Sequence, residues 1–221
     1  MTSNSFALKS EANAAFNSCP KRAPLNSDAS GTPNTSAAVA ASQDVPPVVA
    51  DLERRSFNYF WELGRDDNGL VPDRWPSRSF ASIAAVGFGL TSYGVGVERG
   101  WIRREQAVAR TLATLRFFAN APQGDAPEGM SGHRGFFYHF LKMDSGARDA
   151  RCELSTVDTT LLLGGVLFAQ SYYDRDDPRE AEIRALAETI YRRVEWDWAV
   201  ARPPLISMGW HPETGMIEHD W

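Results

Sequence analysis

Two short stretches hold acidic side chains in patterns suited to acid–base chemistry. The first is Cys152-Glu153-Leu154-Ser155-Thr156-Val157-Asp158-Thr159, where an extended ribbon is expected to give way to a helix. Carboxylates at such a junction lie near the unpaired backbone N–H groups of a helix N-terminus, which stabilise negative charge and can aim it into a cleft. Ser155-x-x-Asp158 also has the form of a capping box, with Asp in the place usually held by Glu or Gln, so a structural duty competes with a chemical one for Asp158. Glu153 precedes the helix and has no evident capping duty, and for it both readings stay open. The second stretch is Trp210-His211-Pro212-Glu213 followed by Ile217-Glu218-His219-Asp220-Trp221. Glu218 and Asp220 alternate along an extended segment and share one face, with His219 on the other. Three consecutive strand residues do not converge on one ion without a bend, which disfavours a metal site there. Glu213 falls in a Pro-Glu-Thr-Gly turn and is expected to be solvated. His133, in a glycine-rich loop, and His139, between Tyr138 and Phe140, have no partner at catalytic spacing; a lone ribbon histidine is structural or donates a hydrogen bond to a ligand. No G-x-S-x-G, phosphate-binding loop or dinucleotide fingerprint occurs, and Gly87-Phe88-Gly89 is too short to count as one.

Composition narrows the chemistry further. The 221 residues suffice for one domain or slightly more. A net charge of -5 gives no basic stripe, which argues against a nucleic-acid partner. The longest uncharged apolar block, Leu161 to Gln170, is too short to span a bilayer. Cys19 and Cys152 do not form a C-x-x-C pair, so neither a zinc knuckle nor a disulfide framework is expected, and the residues present call for no metal and no cofactor. Seven tryptophans in a mildly acidic chain suggest stacking against sugar rings. Residues 1–47 contain ten alanines, eight serines and five asparagines with almost no large apolar side chains, and are expected to form a disordered tail. Phe6-Ala7-Leu8 is cut short by Lys9, so no clear signal peptide is seen and a cytoplasmic location is the default expectation.

The elements that must position these side chains begin at Val48. Val49, Leu52, Ser56, Tyr59 or Phe60, and Leu63 recur at helical spacing and stop at Gly64. A loop over Arg65–Pro76 leads to a buried helix over Ser79–Val97, where Ala81, Ser82, Ala84, Ala85, Gly87 and Gly89 permit close approach of a neighbour. A third helix spans Arg103–Ala119, and a long glycine-rich loop follows over residues 120–135. Phe136–Met143 and Ala147–Cys152 flank Asp144-Ser145-Gly146 and read as a hairpin. The fourth helix runs from about Ser155 to Tyr173. The fifth has Asp177 as N-cap and Pro178 at its first position, with Glu180 and Glu182 as ordinary first-turn acids. Two extended pieces, Leu205–Trp210 and Met216–Trp221, close the chain around a turn. Five helices with short ribbons and no strand–helix alternation define a mainly α protein, with residues 48–221 as its ordered part.

Six segments taken together resemble the bacterial glycoamylase-like domain, a family that includes endo-β-1,2-glucanases. They are Arg55-Ser56-Phe57-Asn58-Tyr59-Phe60-Trp61, Gly69-Leu70-Val71-Pro72-Asp73-Arg74-Trp75-Pro76, Ser82-Ile83-Ala84-Ala85-Val86-Gly87-Phe88, Gly135-Phe136-Phe137-Tyr138-His139-Phe140, Glu153-Leu154-Ser155-Thr156-Val157-Asp158-Thr159 and Met208-Gly209-Trp210. The resemblance implies an all-α fold, an (α/α)6 toroid of twelve helices, of which this chain would supply about five as an amino-terminal portion. It further implies an oligo- or polysaccharide substrate, a β-linked glucan hydrolysed by paired carboxylates. Glu153, Asp158 and Glu218 are then the candidate catalytic residues, and Arg74, Trp75, Tyr138, His139, Trp210 and Asp220 the candidate sugar contacts. Glu153 as general acid would need a raised pKa, obtained by burial against aromatic neighbours. An inverting enzyme would hold its two carboxyls about 6.5–9.5 Å apart. A partial toroid would expose apolar helix faces and self-associate, and a carbohydrate-binding or regulatory fragment without turnover is the alternative. Phosphorolytic or transfer chemistry on the same scaffold would want a phosphate site of Arg, Lys or His.

Overall fold

A computed structural model of the chain describes residues 45–221, so the expectation of a disordered tail over 1–47 lies almost entirely outside the described residues. The five expected helices are present as α1 (Pro47–Leu63), α2 (Ile83–Glu98), α3 (Arg104–Asn120), α4 (Thr156–Tyr172) and α5 (Pro178–Arg192), joined by a single turn, α6 (Trp196–Ala199). Between them run short strands β1 (Ala81–Ser82), β2 (Gly132–His133), β3 (Phe136–Tyr138), β4 (Phe140–Leu141), β5 (Leu154–Ser155), β6 (Gly209–His211) and β7 (Gly215–Met216). β1 pairs with β4, and the other five form one antiparallel sheet in the order β2-β3-β5-β6-β7. The protein is mainly helical as expected, but its ribbons are continuous pieces of sheet rather than isolated hairpins.

The helices start where local chemistry starts them. Ser82 Oγ accepts from Ala85 N–H at the head of α2, Ser155 Oγ from Asp158 N–H at the head of α4, and Asp177 from Arg179 N–H ahead of Pro178 in α5. The core is built on α2 against α4, with α5 packed on α4 and α3, and α1 on α2. Glycine sets the α2–α4 distance: a Cβ on Gly87 would come within 2.3 Å of Leu161 O, and one on Gly165 within 2.2 Å of Gly87 O. The backbones touch, as the run of small residues in α2 suggested.

Three expectations are corrected. The apolar stripe read on α1 faces the core only in its second half: Tyr59 and Phe60 pack against it, whereas Val49 and Leu52 are exposed. Phe57 is the buried anchor instead, because its ring seats on Gly96, where a Cβ would lie 2.3 Å from Phe57 Cε2. The hairpin expected between Phe136–Met143 and Ala147–Cys152 is reduced to one bridge, Leu141 to Arg148. Its turn does form, with Gly146 N–H donating to Lys142 O (2.8 Å). However, Ala150 at φ 46° breaks the extended run, and β3 finds its partners in β2 and β5. Finally, Glu180 is not an ordinary first-turn acid. It is 3% exposed and receives Arg104 through two hydrogen bonds of 2.7 and 2.9 Å. The closing extended pieces do pair with one another, through β6–β7 and reciprocal backbone bonds between Ile206 and Trp221.

Candidate functional site

Strand pairing brings the first acidic cluster together. Tyr138 of β3 stands opposite Leu154 of β5, and the next residue along, His139, donates its backbone N–H to Glu153 O (2.9 Å). The side chains follow: His139 Nδ1 lies 2.7 Å from Glu153 Oε1. The other ring nitrogen, Nε2, lies 3.5 Å from Asp158 Oδ1, so one imidazole bridges two carboxylates. Gly209 of β6 leaves room for this, since a Cβ there would approach Leu154 O at 2.7 Å and Glu153 Cγ at 3.1 Å.

Asp158 fills both of the roles that its position allowed. Its Oδ2 accepts from Ser155 Oγ (2.5 Å) while its own N–H donates to the same hydroxyl (3.0 Å), a reciprocal cap on α4. Its Oδ1 faces His139. A cap therefore fixes the carboxylate that meets the imidazole.

Partial burial disfavours charge on His139, but the hydrogen bond to Glu153 and the charges of Asp158, Glu153 and Asp73 outweigh it, and its pKa is raised. The same hydrogen bond from His139 holds the Glu153 carboxyl below the usual carboxylate range, against the opposing effect of burial. This corrects the expectation of a raised Glu153 pKa: the carboxyl meets an imidazolium rather than a purely apolar wall.

Aromatic rings floor this array. His139 stacks on Phe140 (3.8 Å between centroids), Phe140 packs against Phe80 (4.2 Å), and the Arg74 guanidinium sits over Phe80 at 5.4 Å. Trp75, next in the chain, is 66% exposed and presents a free indole. Trp210 is half-buried and stacks one face on His133 (4.8 Å), with Trp198 against its edge.

The remaining candidates are not gathered at His139. Tyr138 is fully buried, its phenol pushed up to about 12 chiefly by burial, and its ring lies beneath the Arg148 guanidinium at 4.7 Å. It can support the site from below but offers no surface to a sugar. Asp220 is held by Arg202, whose Nε donates to Oδ2 at 2.7 Å, and so clamps the final hairpin. Glu218 is exposed and makes no hydrogen bond or ion pair among the described residues. Glu213 is not simply solvated: Arg148, itself almost fully buried, reaches it at 2.8 Å and also meets His211 Nδ1 (3.1 Å) and Cys152 O (2.7 Å). Arg148 thus ties the segment that carries Glu153 to the β6–β7 hairpin. Nothing in Ala147-Arg148-Asp149 marks it in the sequence, because its partners lie up to 65 positions away.

No family model matches the chain. It is 28% identical over 171 residues to an exo β-1,2-glucooligosaccharide sophorohydrolase acting at the non-reducing end, from Parabacteroides distasonis, a match covering 75% of this chain and 23% of that protein. Among solved structures, a β-1,2-glucanase from the same organism aligns with a TM-score of 0.66 and 26% identity over 76% of this chain and 24% of its own. A Bacteroides uniformis protein provisionally named a glucoamylase aligns with a TM-score of 0.68 and 25% identity over 76% and 40%. The class these define is one of helical carbohydrate-active proteins. The chain is similar to these proteins, in keeping with its resemblance to the bacterial glycoamylase-like family, and it spans between about a quarter and two-fifths of their length. No helix among the described residues is long and apolar enough to cross a membrane.

Proposed function

We propose that this chain is part of a glycoside hydrolase acting on a β-linked glucan, with β-1,2-glucan as the first candidate because two of its relatives carry that linkage in their names. The observation that carries the reading is the His139 bridge between Glu153 and Asp158. Hydrolysis needs a proton for the leaving glycosidic oxygen and a carboxylate that takes one from the attacking water. Glu153 and His139 share one acidic proton, which rests on the imidazole in the free site. As the glycosidic C–O bond breaks, Glu153 delivers a proton to the departing oxygen and draws on His139, while Asp158 holds the ring in place. Glu218, which makes no hydrogen bond or ion pair among the described residues, is the candidate base for the water that attacks the anomeric carbon; Asp220 is committed to Arg202 and is not. Arg74, Trp75 and Trp210 supply sugar contacts.

The five helices are then read as part of an (α/α)6 toroid. Exposed Phe88 and Val95 on α2 and Leu161 on α4 support this, as faces that further helices, or a second copy through self-association, would cover. The lowered pKa of Glu153 favours one second reading, a carbohydrate-binding fragment without turnover, because an ionised carboxylate accepts hydrogen bonds from sugar hydroxyls rather than donating a proton. The deciding experiment is reducing-sugar release from linear β-1,2-glucan, run beside Glu153→Gln with circular dichroism on both. Release by the parent and its loss by at least ~100-fold in the variant supports the hydrolase. Folded parent that binds the glucan without release supports the second reading, and folded parent that neither binds nor cleaves it overturns both.

A further inference from the structure

Beside the His139 array the surface opens into a groove of about 550 Å³ lined by Arg65, Arg74, Arg78 and Lys142, with Asp144 and Asp149 its two carboxylates. Four cations in one concavity stand out in a chain whose net charge is -5, since the overall field does not favour anions there. Their internal partners account for only part of this charge. Arg65 is neutralised by Asp67 through two hydrogen bonds of 2.8 and 2.6 Å, and Arg74 reaches Asp73 only at 3.4 Å. Arg78 and Lys142 make no ion pair and no side-chain hydrogen bond among the described residues. Asp144 spends one oxygen on Ser145 N–H (2.7 Å).

The groove adjoins the candidate sugar site. Phe80 lines it, carries the Arg74 guanidinium on its face, and packs against Phe140, on which His139 stacks. A guanidinium that is free to turn two parallel N–H donors outward matches phosphate or carboxylate, and an ammonium beside it adds a point charge. We propose that this groove binds an oxyanion, phosphate or carboxylate, carried by a saccharide whose neutral rings lie toward His139. The saccharide part rests on the function proposed above; the anion part rests on Arg74, Arg78 and Lys142 alone.

The test is calorimetric titration of the full chain with glucose 6-phosphate, inorganic phosphate and glucose, repeated with an Arg78→Gln/Lys142→Gln variant at these two exposed positions. Glucose 6-phosphate is expected to bind at least ~10-fold more tightly than glucose or inorganic phosphate, with affinity falling as salt is raised and lost by ~10-fold or more in the variant. Handling of neutral β-1,2-glucan should be the same in parent and variant. Inorganic phosphate binding as tightly as the phosphosugar would assign the groove to free phosphate and overturn the saccharide part. Equal affinity for glucose 6-phosphate and glucose, or a variant with unchanged affinity, overturns the proposal. A parent that binds the phosphosugar in this way but neither binds nor cleaves neutral glucan counts against the hydrolase reading and not against the anion site.

Discussion

His139 Nδ1 and Glu153 Oε1 lie 2.7 Å apart although fourteen positions separate the two residues in the chain. Their backbones are bonded as well, His139 N–H to Glu153 O, so the side-chain contact is set by the register of β3 on β5 rather than by a search through rotamers. A proton held between them is positioned before any ligand arrives, which is what an acid–base site requires.

Replacing His139 by Asn should therefore remove the proton reserve while leaving the strands paired. Under the hydrolase reading, turnover of β-1,2-glucan is expected to fall by about 10²–10⁴-fold. Carboxyl NMR titration should find the Glu153 pKa higher than in the parent, because the group that lowers it is gone. An unshifted Glu153 would contradict the pairing.

The same pair sets a pH window for stability. The pKa of His139 is raised above 6.5, so its contribution is complete below 6.5 and is lost as pH rises through the folded value. That of Glu153 is lowered below 4.5, so its contribution is present above 4.5 and is lost as pH falls through the folded value. The melting-temperature gap between parent and His139→Asn should then be widest between pH 4.5 and 6.5 and narrow on both sides. It should correspond to about 1 kcal/mol once partial exposure is discounted. A gap that does not vary with pH would rule the charged pair out.

Glu180→Ala leaves Arg104, which is 11% exposed, without its bidentate partner and also removes the acceptor of Arg175 N–H. Urea denaturation should show a loss of about 3–5 kcal/mol. Arg104→Ala in the same background should cost clearly less than it does alone, since the two residues act as one unit.

The α2–α4 contact can be probed with one methyl group at a time. Gly87→Ala drives a Cβ into Leu161 O and should destabilise by about 1–3 kcal/mol or more. Gly164→Ala, where a Cβ meets nothing within 4 Å, should instead stabilise by about 0.4–1 kcal/mol. Matching effects at the two positions in denaturant titrations would mean that the helix backbones are not in contact.

Local signals in the sequence reached as far as local physics does. Ser155, Asp177-Pro178 and Gly64 mark helix ends because a cap or a break is decided within about one turn, and the small residues of α2 announced a close neighbour without saying which one. The capping and chemical readings of Asp158 were both legible, and both are present. Side-chain exposure on α1 was not legible: its periodic stripe of Val49 and Leu52 is real, but Gly96 of α2 receives Phe57.

The sequence by itself determined the five helices, the caps at Ser155 and Asp177 and the candidate carboxylates, since each depends on neighbours a few residues away. Tertiary structure alone decided that His139 bridges Glu153 and Asp158, that Arg148 locks onto Glu213 and that Arg104 meets Glu180 76 positions on. These contacts depend on which strand edge or helix face meets which, a choice made by the whole core, and no spacing along the chain encodes it.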